Sequence, residues 1–85
     1  MTHRTYSVLL APDPDRGGFT ATVPTIPEVV TEGDDEAHAL AMAREAIRLY
    51  LAYASDKGLP IPEERSAFRL ATVEVDAPSL VPAAP

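Results

Sequence analysis

The chain contains no cysteine, and this absence excludes both disulfide bonds and thiolate metal sites. Lysine and arginine are also scarce: seven stand against thirteen acidic residues, so the net charge is −6. Nucleic-acid binding depends on basic residues that neutralise phosphates, and a sequence this acidic predicts no direct binding to nucleic acid. An acidic surface suits a basic partner, although it would also keep a small protein soluble without any partner.

Long hydrophobic runs are missing as well. The first apolar stretch, from Tyr6 to Pro12, is far too short for a signal peptide or a membrane span. We therefore expect a cytoplasmic protein without membrane association. The 85 residues leave room for one domain, and so small a core supplies little stability, which makes oligomerisation a reasonable expectation.

Alternating apolar residues and turn residues predict four strands and one helix. The strands are expected at 6–11, 19–23, 28–31 and 68–75. Asp34 or Asp35 is predicted to cap a helix that runs from Glu36 to about Asp56 and ends at Gly58. This order, β-β-β-α-β, predicts an α+β fold: a two-layer sandwich with one long helix on a small mixed sheet. The domain covers 1–76, and 77–85 form a Pro/Ala-rich C-terminal tail.

The predicted helix carries more apolar surface than one sheet needs. At 100° per residue, one stripe is expected to face the sheet: Leu40, Ala43, Ile47, Tyr50, Leu51 and Ala54. A second stripe lies beside it: Met42, Ala46, Leu49 and Tyr53. The second stripe either widens the core face, with a few exposed apolar residues, or packs against another chain or the C-terminal tail. We favour a packing role, and these four residues are the predicted oligomer interface.

The patterns that would indicate a metal site or an enzyme are incomplete. Asp13-x-Asp15 has the opening rhythm of a calcium loop, but the twelfth position is Pro24 rather than a bidentate glutamate. His3 and His38 are the only histidines, which is too few ligands for zinc, and a surface or capping role is predicted for His38. No serine stands in a nucleophile elbow. We expect no metal, no cofactor and no enzymatic activity.

Six short motifs lie in order along most of the chain. They are Tyr6 with the apolar strand after it, Gly17-Gly18-Phe19, Val23-Pro24-x-Ile26-Pro27, Thr31-x-Gly33-Asp34, Ala39-Leu40-x-x-Ala43-x-Glu45-Ala46 and Gly58-Leu59-Pro60-Ile61-Pro62. In these motifs the chain resembles the HicB family of small bacterial antitoxins. The resemblance implies a partial ribonuclease H-like fold, with the fourth strand parallel beside the first. The carboxylates that such a nuclease needs on its first strand are absent here, so its metal chemistry is not expected.

The resemblance also implies a partner. HicB proteins bind HicA, a small basic ribonuclease toxin, and mask its active site; the acidic positions expected at such an interface are Asp13, Asp15, Glu28 and Glu32. Family members usually continue into a DNA-binding domain, for which this sequence has neither the length nor the basic charge, so DNA binding is not expected. The alternative is a solitary HicB-like homo-oligomer with a structural or regulatory role and an unknown partner.

Overall fold

Three short antiparallel strands and one long helix form the regular structure of residues 3–64 and 68–78, which the computed structural model describes. The elements are β1 (Leu9–Pro12), β2 (Phe19–Thr22), β3 (Val30–Gly33) and α1 (Glu36–Asp56). β2 lies in the centre of the sheet, and β1 and β3 flank it. The predicted α+β class is confirmed, and the helix has the predicted bounds.

The two faces of the sheet differ. Antiparallel pairing sets Ala21 of β2 opposite Leu10 of β1 on one side and Thr31 of β3 on the other. Paired residues share a face, and Ala21 is buried against α1, so this is the inner face of the sheet. The outer face includes Leu9 and Val30, which are both exposed.

Local capping chemistry sets both ends of α1. Asp35 has extended backbone, and its side chain accepts a hydrogen bond from the backbone N–H of His38, as expected of an N-cap aspartate. After the helix, Gly58 adopts a φ of 68°, and Leu59 donates its N–H to the carbonyl of Ala54. A left-handed glycine at this position is the usual device that ends a helix. Both ends follow the sequence prediction.

The core consists of two adjoining clusters. Ala21, Ala39 and Ala43 form one, at the junction of α1 with β2. The other contains Val23, Ile26 and Val29, and half-buried side chains of the helix pack on it: Ala46, Ile47, Tyr50 and Leu51. The predicted sheet-facing stripe is therefore largely correct.

One member of that stripe was placed wrongly. Leu40 is exposed, and Ala39 is fully buried instead. The cause is Gly33 at the end of β3, where α1 approaches so closely that a Cβ on Gly33 would lie 2.5 Å from the Cα of Ala39. Because this contact brings the backbones together, only a small side chain fits beside it, and Leu40 is turned outward.

The strand predictions need correction at their ends. β1 begins at Leu9 rather than Tyr6, and β3 covers Val30–Gly33 rather than 28–31. Two successive turns, closed by the N–H groups of Ile26 and Val29, occupy the chain before β3 and delay its start. Pairing with β2 then extends β3 to Gly33, opposite Phe19.

The predicted fourth strand is not formed. Residues 68–75 lie within the described part of the chain, yet they pair with no strand and are exposed. Alternation of side chains predicts an extended segment, but a strand also requires a hydrogen-bonding neighbour, which local sequence does not supply. Most of the predicted tail, from Ser79 onward, lies outside the described residues.

Candidate partner-binding surfaces

An acidic cluster lies where the β1–β2 hairpin, the end of β3 and the start of α1 meet. Its carboxylates belong to Asp13, Asp15, Glu32 and Asp34, and all but the half-buried Asp13 are exposed. Asp13, Glu32 and Asp34 line a shallow cleft of 320 Å³. The sheet brings Glu32 to the hairpin because β3 is antiparallel to β2 and ends beside its first residue. We call these four residues the hairpin-end cluster.

The hairpin turn holds Asp13 in place. Its Oδ1 accepts hydrogen bonds from the backbone N–H groups of Asp15, at 3.0 Å, and Arg16, at 3.1 Å. These bonds favour the ionised carboxylate, so the N–H of Arg16 and then that of Asp15 hold the pKa of Asp13 below its usual value. Among the described residues, Arg16 is the cation that pairs with Glu32, at 4.0 Å, and this exposed contact is weak. The cluster thus keeps an excess of negative charge.

His38 has a capping role, as the sequence predicts. Its Nδ1 accepts a hydrogen bond from the backbone N–H of Asp34 at 3.0 Å. The backbone N–H of His38 donates to the Asp35 carboxylate at 2.7 Å. This reciprocal arrangement resembles a capping box. The Asp34 carboxylate lies 3.7 Å from Nδ1, but a nitrogen that accepts a hydrogen bond has no proton to share with it. Among residues 3–64 and 68–78, no three potential ligands are grouped to hold a metal ion.

Glu28 does not belong to the hairpin-end cluster, although it was predicted in the same interface. It is exposed beyond the other end of β3, where Tyr50 of α1 donates a hydrogen bond to it at 3.3 Å. Burial, followed by the negative charge of Glu28, raises the pKa of Tyr50. His38 and Tyr50 are about 18 Å apart along the helix axis, at 1.5 Å per residue. The four predicted acidic positions therefore form two separate sites.

The second helical stripe is partly available. Leu49 and Tyr53 are 55% and 53% exposed, and Met42 is exposed as well. Ala46 was predicted to join them, but it packs against the cluster of Val23, Ile26 and Val29. It turns inward because the helix sits over the turns before β3, where a small side chain fits between the layers. The exposed helix patch therefore consists of Met42, Leu49 and Tyr53.

A groove that the sequence did not predict runs between α1 and the N-terminal segment. Its largest part has a volume of 850 Å³ and an apolar floor made by Tyr6, Ile47, Leu51 and Ile61. The rim carries His3, Arg4, Arg44 and Arg48. In the sequence the basic residues are scattered, but the fold collects three of the seven here. The i, i+4 spacing of Arg44 and Arg48 was the only signal in the sequence.

The connector after α1 is fastened to the N-terminal segment by Glu64. Its carboxylate accepts hydrogen bonds from the backbone N–H of Ser7 at 2.6 Å, from the Ser7 hydroxyl at 2.5 Å and from the Thr25 hydroxyl at 3.2 Å. The Ser7 hydroxyl and then its N–H lower the pKa of Glu64. Tyr6 adds a bond from its hydroxyl to the carbonyl of Pro62 at 2.5 Å. These contacts join residues 39 to 57 positions apart in sequence, so no local pattern indicates them.

Comparison with known proteins adds no identity. No protein-family model and no curated protein sequence matches this chain. Within the described residues, no helix has both the length and the apolar character needed to cross a membrane.

Proposed function

We propose that this chain is a non-catalytic binding module of the bacterial cytoplasm, a HicB-like antitoxin that neutralises a small basic ribonuclease of the HicA type by covering its active site. The observation that carries the proposal is the hairpin-end cluster. It concentrates Asp13, Asp15, Glu32 and Asp34 at one end of the sheet, and within the described part of the chain Arg16 is the cation that pairs with Glu32. A ribonuclease must present positive charge to its RNA, so an acidic surface complements its substrate-binding face.

The geometry of the cluster supports binding with little loss of entropy. Two backbone hydrogen bonds fix Asp13, and β-sheet pairing fixes the backbone of Glu32. Groups that are ordered before association lose less conformational freedom on binding, and this favours affinity. Opposite charges on the two proteins would also raise the association rate at low salt.

The test is co-expression with a HicA-type toxin, followed by co-purification and a growth assay. We expect the wild-type chain to bind the toxin and to restore growth. Asp15→Lys reverses a charge in the hairpin-end cluster, and Glu28→Lys makes the same change of charge at the distant site. We expect Asp15→Lys to weaken binding about tenfold, or 1.4 kcal/mol, and Glu28→Lys to leave it nearly unchanged.

The outcomes separate the claims. Absence of toxin binding by the wild-type chain would contradict the proposed function. Binding that is weakened only by Glu28→Lys would keep the function but move the interface to the other end of β3. Equal weakening by both variants would mean that net charge, rather than the hairpin-end cluster, determines binding.

A second function is favoured by the exposed helix patch: a homo-oligomer with a structural or regulatory role. Met42, Leu49 and Tyr53 are already about half buried, so their full burial would stabilise an assembly by about 1 kcal/mol for each side chain, before the cost of association. Sedimentation of Leu49→Glu tests it, with Ala37→Glu as a control that adds the same charge at another exposed helical position. We expect Leu49→Glu alone to reduce the mass of the assembly. An unchanged mass would exclude this patch as the interface.

A further inference from the structure

The exposed helix patch lies along the free edge of β3. At 100° per residue, its three side chains stand about 80–120° to one side of the buried Ala43. On the other side of Ala43, α1 lines the groove beside the N-terminal segment, which leads into β1. Because β1 and β3 are the two outer strands, the patch faces β3. Within the described residues β3 hydrogen-bonds only to β2, and its other edge has no backbone partner.

Contacts at both ends of β3 align it with α1. At the end of the strand, Gly33 lies against the backbone of Ala39. Just before the strand begins, Glu28 accepts a hydrogen bond from Tyr50, and the Tyr53 ring of the patch lies 6.4 Å from the Tyr50 ring. The strand distance between these two contacts is about 17 Å at 3.3 Å per residue, and the helix distance is also about 17 Å at 1.5 Å per residue. The helix therefore runs antiparallel to β3, close to its direction.

The orientation of the patch decides what can cover it. Side chains about 100° from the buried side of a helix point parallel to the sheet rather than down onto it. A single strand added to β3 would lie one layer below them and would leave them largely in water. They require another helix beside α1 on the same face of the sheet. A second copy of this chain presents both a strand edge and a helix, because its own α1 lies beside its own β3.

We propose that two copies of the chain pair their β3 strands antiparallel, with Thr31 on the twofold axis, and pack their α1 helices side by side on a continuous six-stranded sheet. This inference rests on the second proposed function, a homo-oligomer formed through the exposed helix patch, and assigns the rest of that interface. Adjacent strands are about 4.8 Å apart, so a helix above the midline between β2 and β3 lies about 4.8 Å from the axis. The two helices are then roughly 10 Å apart, and packed helices are about 8–10 Å apart.

Thr31 selects the register of the two strands. Its side chain lies on the inner face, and its hydroxyl oxygen is buried with no hydrogen-bond partner among the described residues, which is costly. With Thr31 on the axis, the two hydroxyls lie opposite each other, and opposed threonines can hydrogen-bond. An axis one residue earlier would leave the hydroxyl unpaired, and an axis through Glu32 would oppose two carboxylates. Glu28 and Asp34 of the two copies approach only beyond the strand ends, so salt should strengthen the dimer.

Disulfide trapping tests the register, because the natural chain has no cysteine that could interfere. With Thr31 on the axis, Val30 lies opposite Glu32 of the second copy, and both side chains are exposed. An isotope-labelled Val30→Cys chain is unfolded and refolded together with an unlabelled Glu32→Cys chain, then oxidised. We expect a mixed disulfide with twice the 9.1 kDa mass of one chain, at a yield about tenfold above a control in which Ala37→Cys replaces Glu32→Cys. A yield equal to the control, or an excess of disulfides between identical chains, would overturn the proposal.

Sedimentation separates this inference from the function on which it rests. We expect a wild-type dimer that Thr31→Val weakens about fivefold, while Thr22→Val, the same change on the outer face of β2, leaves it unchanged. Equal or tighter association of Thr31→Val would overturn the pairing at Thr31. A dimer that Leu49→Glu dissociates but that gives no mixed disulfide would keep the homo-oligomer and overturn the strand pairing. A monomeric wild type would overturn both. A monomeric Val30→Cys/Val73→Cys chain that closes a disulfide within itself would assign the edge to its own C-terminal segment and overturn the proposal.

Discussion

Gly33 is the position where the packing of α1 on the sheet is most sensitive to a single added methyl group. A Cβ there would overlap the backbone N of Ala39 and would lie 2.5 Å from its Cα and 2.7 Å from the carbonyl carbon of His38. These are backbone atoms, so no side-chain rotation relieves the overlap. Gly33→Ala can be accommodated only if the first turns of the helix move away from β3.

The expected loss is large for a protein of this size. Overpacking of a core costs about 1–3 kcal/mol and sometimes more, and the rigid surroundings of Gly33 place it at about 3 kcal/mol. At roughly 0.05–0.15 kcal/mol per residue, the whole chain is stable by about 4–13 kcal/mol. A loss of about 3 kcal/mol lowers the melting temperature by roughly 12–24 °C for a domain of this length.

The assay is unfolding by urea and by heat, monitored through the circular dichroism signal of α1. All variants are measured at one chain concentration, so that any association affects them equally. Gly58→Ala is the matched control, since Gly58 has a φ of 68° but open space around it. It measures only the backbone cost of the left-handed conformation, about 1–2 kcal/mol. Adding Ala39→Gly to Gly33→Ala should not restore stability, because the overlapping atoms of Ala39 belong to the backbone.

Two results would refute this reasoning. The first is a Gly33→Ala variant no less stable than Gly58→Ala, which would show that the helix moves outward at little cost. Rescue by Ala39→Gly would mean that the contact involves the side chain of Ala39 rather than its backbone.

Two further predictions concern the helix cap and the connector. Asp35→Ala removes the acceptor of the His38 backbone N–H and should lower the stability by about 1 kcal/mol, or roughly 4–8 °C in melting temperature. The control Glu36→Ala should lower it less. Equal losses in the two variants would contradict the capping role of Asp35. Bonds from Ser7 lower the pKa of Glu64, so its contribution to stability is present above the ordinary value of 4.5 and is lost as the pH falls through the lowered pKa. The difference in unfolding midpoint between wild type and Glu64→Gln should therefore shrink as the pH falls from 4.5 through the lowered pKa. A difference that stays constant with pH would contradict this role of Glu64.

The parts of the fold that follow from neighbouring residues could be predicted from the sequence. Asp35 caps α1 through the N–H three residues later, and Gly58 ends it by adopting a positive φ that costs glycine little. Alternation of side chains predicted β2, although the predicted strand was one residue longer than the observed Phe19–Thr22. The turn residues between 12 and 18 predicted the hairpin. In each case a few adjacent side chains determine the backbone conformation.

The candidate site could be predicted only in part. The sequence contains the acidic residues, but the antiparallel register decides that Glu32 joins Asp13 while Glu28 lies apart from both. The groove beside α1 was missed because Arg4 and Arg44 on its rim come together only when the N-terminal segment lies along α1. These are contacts between distant parts of the chain.

By itself, the sequence determined the helix with its two caps, the hairpin, the negative charge and the absence of cysteine chemistry, because each depends on composition or on residues within one or two turns of each other. Only the tertiary structure decided which helical residues are buried. The close approach of Gly33 selected Ala39 over Leu40, and the turns before β3 drew Ala46 inward. Within the described residues it also left 68–75 without a paired strand, because an alternating pattern predicts an extended backbone, whereas pairing depends on another strand edge in reach.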